Sequence, residues 1–166
     1  MGPQTLAMLR RAAFLTLFFG ASALGQVPAD PLEVRAIAEV EFKTVEAGRH
    51  LVKLIPADRV VPGDRVIYTL EARNTGATVL DTPVVTYAVP DHMRYVADSA
   101  VGPGAEVRFS IDGGHSFERA ENLKVNGPDG RPRAVVGADI THIRWQLKNS
   151  LKANSVAFVR FRALVQ

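Results

Sequence analysis

The sequence predicts an all-β domain, an antiparallel sandwich or barrel, behind a short export leader. Apolar and polar residues alternate in run after run, which places every second side chain on one face of a strand. The runs are short and are separated by clusters of Gly, Pro, Asn and Asp, the punctuation of a chain that turns often. From Gln26 onward no stretch keeps apolar residues at helical spacing over several turns.

The first eleven residues carry Arg10 and Arg11 and no acid, and the apolar run AAFLTLFFGASALG follows from Ala12 to Gly25. That is the layout of a secretory signal peptide, and the run is shorter than the roughly 20 apolar residues a membrane-spanning helix needs. Small residues allow cleavage after Ala23 or after Gly25, and the second is preferred. Removing the first 25 of 166 residues leaves 141, the size of one domain. The expected organisation is a signal peptide over 1–25, a flexible lead over 26–32 and one domain over 33–166.

The chain carries 20 Lys+Arg against 17 Asp+Glu, and because Arg10 and Arg11 leave with the leader the exported balance is +1. So small a balance argues against a nucleic-acid partner. Cysteine is absent, so no disulfide and no lipid-modified amino-terminal cysteine is available. No apolar anchor segment follows AFVRFRALVQ, and a soluble protein of the periplasm or the extracellular space is expected.

The strands follow in order. Val34, Ala36, Ala38, Val40 and Phe42 alternate with Arg35, Glu39, Glu41 and Lys43; Ala47 and Gly48 make a turn, and the apolar run HLVKLIPA comes next. Pro62, Gly63 and Asp64 turn the chain into a strand whose Val66, Tyr68, Leu70 and Ala72 share one face, closed by Asn74, Thr75 and Gly76. Further strands are predicted at Val84 to Val89, at Tyr95 to Ala97, through Val107, Phe109 and Ile111, through Ile143, Trp145 and Leu147, and through Ala157 to Val165. Trp145 alternates with Ile143 and Leu147 and is assigned to the core beside Tyr68 and Phe161. NGPDGRPR, Asn126 to Arg133, is the most loop-like segment.

PGDRVIYTLEARNTG, PVVTYAVPDHMRYV, ITHIRWQL and the closing SVAFVRFRALV together resemble the prokaryotic conserved repeat domain, also called domain of unknown function eleven. The resemblance covers about Val60 to Val165. It implies an immunoglobulin-like sandwich of an exported or cell-surface protein, and in this chain a single copy without internal repeat.

The densest polar stretch is SIDGGHSF, Ser110 to Phe117. Asp112 and His115 are a possible base and ligand, but a calcium loop needs several acidic oxygens at alternate positions and one is present. Val107, Phe109 and Ile111 alternate into Asp-Gly-Gly, a hairpin signal, with Phe117 resuming the apolar face. The stretch also resembles the Asp-box hairpin, Ser-x-Asp-x-Gly-x-Thr-Trp, with Ser116 and Phe117 at its last two positions. A structural hairpin is therefore expected. His50, His92 and His142 are scattered and match no zinc spacing. There is no Gly-x-Ser-x-Gly elbow, no phosphate-binding Gly-Lys loop and no cysteine nucleophile, so no catalytic, cofactor or metal residue is assigned.

Arg160 and Arg162 share outward parity with Arg144 and Arg108 on their own strands, a possible basic stripe for an anionic glycan or phospholipid surface, with a solvated sheet face as the preferred alternative. The functional expectation is a non-enzymatic exported module acting on an envelope or surface protein through sheet edges and loops. The alternative is a self-assembling filament subunit whose strand 34–42 completes a neighbour's sheet.

Overall fold

The computed structural model describes residues 30–166, so the expected signal peptide and most of the lead lie outside the described residues. Ten antiparallel strands follow: β1 Leu32–Glu46, β2 Arg49–Pro56, β3 Arg65–Asn74, β4 Val84–Ala88, β5 Met93–Tyr95, β6 Ala105–Ser110, β7 Lys124–Asn126, β8 Pro132–Ala134, β9 His142–Leu147 and β10 Val156–Val165. The only helical element among them is one 3₁₀ turn, Ala120–Asn122.

Five strands form one sheet in the order β2-β1-β3-β10-β5, and three form a second in the order β4-β9-β6. The alternation that predicted the strands also supplies the core between the sheets. Val66, Tyr68, Leu70 and Ala72 of β3 and Val159, Phe161 and Ala163 of β10 point inward from the first. Val85 of β4, Phe109 of β6, and Ile143, Trp145 and Leu147 of β9 meet them from the second. Phe161 is the centre: its ring stacks on Tyr68 at 4.9 Å and meets Tyr87 at 5.9 Å and Trp145 at 6.1 Å. The nearly all-β fold with antiparallel sheets agrees with the sequence reading, and so does the burial of Trp145.

Several expectations need correction. Strand β5 spans Met93–Tyr95 and not Tyr95 to Ala97, because Val96 already donates its N–H to Arg162 as the chain leaves the ladder at a turn with Asp98 in a left-handed conformation. The NGPDGRPR segment is loop only at its centre: Asn126, Pro132 and Arg133 belong to a small ribbon, β7 against β8, in which Asn126 lies opposite Pro132. Phe117 does not resume the core face: it lies beneath the Arg144 guanidinium, 3.6 Å from ring centroid to Cζ. The basic stripe divides. Arg160 and Arg162 belong to the five-stranded sheet, Arg144 and Arg108 to the three-stranded one, where they sit directly opposite each other.

The largest departure is at the amino-terminal edge. The first strand runs to Glu46, well past Phe42. Its ladder with β3 extends from Leu32↔Asn74 to Val40↔Val66 and stops there, whereas its ladder with β2 begins at Glu39↔Pro56 and continues to Glu46↔Arg49. Among the described residues, 41–46 therefore have β2 as their sole strand partner. The turn between the two strands has positive φ at both central residues, Ala47 at 49° and Gly48 at 77°, the conformation whose twist suits a two-residue hairpin. A two-stranded arm thus extends beyond the sandwich.

Candidate functional site

The Ser110–Phe117 loop is a closed structural hairpin. The Asp112 carboxylate accepts hydrogen bonds from Ser110 Oγ at 2.6 Å, Ser116 N at 3.0 Å and Ser116 Oγ at 2.6 Å. Ser110 Oγ in turn accepts from Gly114 N at 2.9 Å, and Gly113 N donates to Thr141 Oγ1 at 3.1 Å. Gly113 and Gly114 both take positive φ, which a glycine adopts without strain. Phe109 and Glu118 then exchange backbone hydrogen bonds of 2.7 and 3.0 Å, which seals the base. These donors, led by Ser110, hold the Asp112 carboxyl well below the usual carboxylate range, because they stabilise the charged form. A carboxylate so fully engaged is an anchor, with little basicity left for proton transfer.

The histidines occupy separate elements: His50 on β2, His92 in a left-handed turn, His115 in the hairpin loop and His142 on β9. Among the described residues no group of three or more His, Asp or Glu side chains converges as a metal site.

A cleft of about 530 Å³ opens beside β5 and β6. Its floor is apolar, built from Tyr95, Val107, Phe109 and Ile140, and Glu106, Asp98 and Arg119 stand at its rim. Glu106 is bound to Arg108 at 3.1 Å and to Arg119 at 3.4 Å, which lowers its carboxyl below the ordinary value, Arg108 first. The charge of Glu106 is thus offset by two arginines.

The arm is different, since little of it is satisfied. All eight residues of β2 are exposed. Phe42, Leu51 and Ile55 project on the side continuous with the core face, and Val45, Val52 and Leu54 on the other, as the registers Val40↔Val66 and Val40↔Ile55 dictate. Phe42 is 51 % exposed, Val45 58 % and Val52 59 %. One ion pair, Lys53 with Glu46, crosses the arm.

The backbone of the arm is as open as its faces. Ala57 N donates to Ala38 O and Thr75 N to Pro31 O, at 3.0 and 2.8 Å. These two bonds fix the phase of the ladders: even-numbered residues of β1 turn their polar groups toward β2, and odd-numbered ones toward β3. On β2 the odd residues face β1, and His50, Val52 and Leu54 turn their N–H and C=O groups outward. Pro56, which has no N–H, stands at the next outward position, where none is missed.

The sequence had placed HLVKLIPA as an apolar run and assigned it no role. Its signal was present in the letters, since apolar residues on both faces of a strand mean burial on both faces or an interface. No protein-family model, no curated protein and no solved structure matches the chain. Among the described residues no helix is long and apolar enough to cross a membrane.

Proposed function

We propose that the chain is an exported, non-enzymatic binding or structural module of the cell envelope, acting through its sheet edges and loops. The observation that carries this reading is the arm: an eight-residue edge strand, exposed throughout, with apolar side chains on both faces. Natural edge strands are shortened, charged, capped by proline or covered because an open ladder recruits another strand, and β2 carries Arg49, Lys53 and the terminal Pro56 as guards while His50, Val52 and Leu54 leave its outward ladder open. Strand addition is a common mode of protein recognition, with backbone hydrogen bonds supplying affinity and alternate side chains specificity.

Export is supported by the Arg10-Arg11, apolar and small-residue order of the leader. An immunoglobulin-like sandwich related to the prokaryotic conserved repeat domain is supported by the residues that carried the resemblance. Asp64 accepts from Val61 N at 2.9 Å in the Pro-Gly-Asp turn, and Asn74 closes the strand with its side chain buried. The filament reading stands second, because Val34 to Val40 are laddered to β3 of their own chain.

The test is expression in the native host with a carboxy-terminal tag. A mature chain starting at Gln26 in the periplasm or medium, which captures an envelope protein after cross-linking, supports the proposal. An intact Met1 species held in the membrane, or turnover of ester, glycoside or peptide substrates at catalytic rates, overturns it.

A further inference from the structure

We propose that the occupant of the free β2 edge is the β2 strand of a second copy, paired antiparallel about a two-fold axis through Val52. This rests on the reading of the chain as a binding module and names its partner. The first ground is the stability of the arm itself. An isolated two-stranded hairpin is marginal in water, and three or more strands are needed for independent stability. Residues 41–46 and their partners 49–54 are such a hairpin, with β3 ending at their root. Pairing two arms through β2 makes a four-stranded antiparallel ribbon without any further chain.

The second ground is that the edge is self-complementary in one register. A two-fold contact must place residue i opposite j and j opposite i. With Val52 on the axis, His50 pairs with Leu54 of the second copy and Val52 with its own equivalent, and the outward N–H and C=O groups of these three residues form about six hydrogen bonds. Arg49 then lies opposite Ile55, and Lys53 opposite Leu51, so no like charges are directly opposed, and Lys53 meets Arg49 and Lys53 of the second copy only as diagonal neighbours. The neighbouring registers fail on charge or on donors. An axis at Leu51 sets Arg49 against Lys53, and an axis at Lys53 sets that lysine against itself, both destabilising pairs. An axis at Leu54 brings Pro56 opposite Val52 and loses donors. An axis at His50 sets two histidines together. The strand's two inward-parity cations are thus spaced so that only the Val52 register both avoids setting them directly opposite like charges and uses every outward donor.

The third ground is extent. A strand of eight residues is about 27 Å long, and pairing two such edges covers less than the roughly 800 Å² per partner of a standard interface. An interface of this size belongs with weak, concentration-dependent association.

The chain has no cysteine, so one introduced thiol reports the register directly. Directly opposed residues in a hydrogen-bonded antiparallel pair have Cα atoms about 5.5 Å apart, within disulfide range. Val52→Cys is expected to give mostly cross-linked dimer under mild oxidation. Leu54→Cys, whose equivalents lie about 13 Å apart in this register, is expected to stay mostly uncross-linked. In sedimentation of the purified exported protein, the parent should dimerise with rising concentration. Leu54→Pro removes an outward donor and leaves the β1–β2 ladder intact, and Val52→Lys sets like charges on the axis. Each should weaken the dimer at least tenfold, with a melting temperature unchanged from the parent's at dilutions where the parent is monomeric.

Equal cross-linking of the two thiol variants, dimerisation indifferent to both substitutions, or a monomer at all concentrations up to about 1 mM would each overturn the proposal. A monomer that still captures an envelope protein through β2, and loses it in Leu54→Pro, would defeat the second copy as partner and leave the binding-module reading standing.

Discussion

Asn74 offers the sharpest test of how the sandwich is closed. It is fully buried at the end of β3, and its side chain makes three hydrogen bonds that join two turns. Nδ2 donates to Thr78 O at 2.7 Å and to Leu151 O at 2.9 Å, while Oδ1 accepts from Gly76 N at 3.0 Å. Asn74→Ala leaves the Thr78 carbonyl and the Gly76 N–H without partners and takes from the Leu151 carbonyl one of its two donors, the other being Leu80 N. At about 1 kcal/mol per net hydrogen bond, and more where the stranded group stays dry, the loss is about 3 kcal/mol. For a domain of this size that is a fall in Tm of about 10 °C.

Asn74→Asp is nearly isosteric and keeps the acceptor for Gly76, but it aims a carboxylate oxygen at the two carbonyls that Nδ2 had served. Burial and those carbonyls disfavour the charged form, so the introduced carboxyl has a folded pKa above its unfolded value. The penalty is therefore absent below the unfolded pKa of about 4 and grows as pH rises through it toward the folded pKa. The Asp variant should melt below the Ala variant at pH 7 and draw level with it, or pass it, near pH 4. Trp145 is the only tryptophan and is fully buried, so its fluorescence reports unfolding of the core directly. An Asp variant within about 2 °C of the parent at pH 7, or a difference between the two variants that does not shrink on acidification, would refute this account of Asn74.

Other changes have equally definite outcomes. Asp112→Ala should lower Tm without altering the response to added calcium, zinc or chelator. Because hydrogen bonds depress the Asp112 carboxyl, its contribution is present above the ordinary carboxylate range and fades as pH falls below it, so the gap between parent and variant should narrow between about pH 5 and about pH 2. Phe161→Ala removes the ring against which Tyr68, Tyr87 and Trp145 pack and should cost about 3–5 kcal/mol by denaturant titration. Gly137→Ala would put a Cβ 1.9 Å from the Tyr95 carbonyl oxygen, so the 135–139 segment must move away from β5, at about 1–3 kcal/mol in the same titration.

Much of the fold was legible because each strand obeys one local rule. The alternation of β3, β9 and β10 gave both the strand and its buried face, and Gly48, Gly63, Gly113 and Gly114 marked turns through the positive φ that glycine adopts freely. Parity within one strand was legible too, since Arg160 and Arg162 do share a face. Parity between strands was not, because alternation does not say which of two sheets a strand joins. Arg144 and Arg108 therefore went to the other layer. Phe117 escaped for a related reason: after a turn the register is set by hydrogen bonds, here Phe109 with Glu118, and that register gives Phe117 to the outer face under Arg144.

The arm shows why the candidate site was harder to read than the fold. A core position is announced by its own strand, because burial on one face imposes alternation on the residues that supply it. An interface position has no such local mark. Leu51, Val52, Leu54 and Ile55 read like the middle of a buried strand, and their exposure follows only from where β3 and the second sheet stop. Burial by the body of the domain does not account for them, since the buried core is supplied by β3, β4, β5, β6, β9 and β10 and all eight residues of β2 are exposed. A polar arm would leave those strands as they are. The apolar side chains on both of its faces and the open ladder at its edge are costs that a lone monomer does not recover, and pairing with another strand recovers both at once.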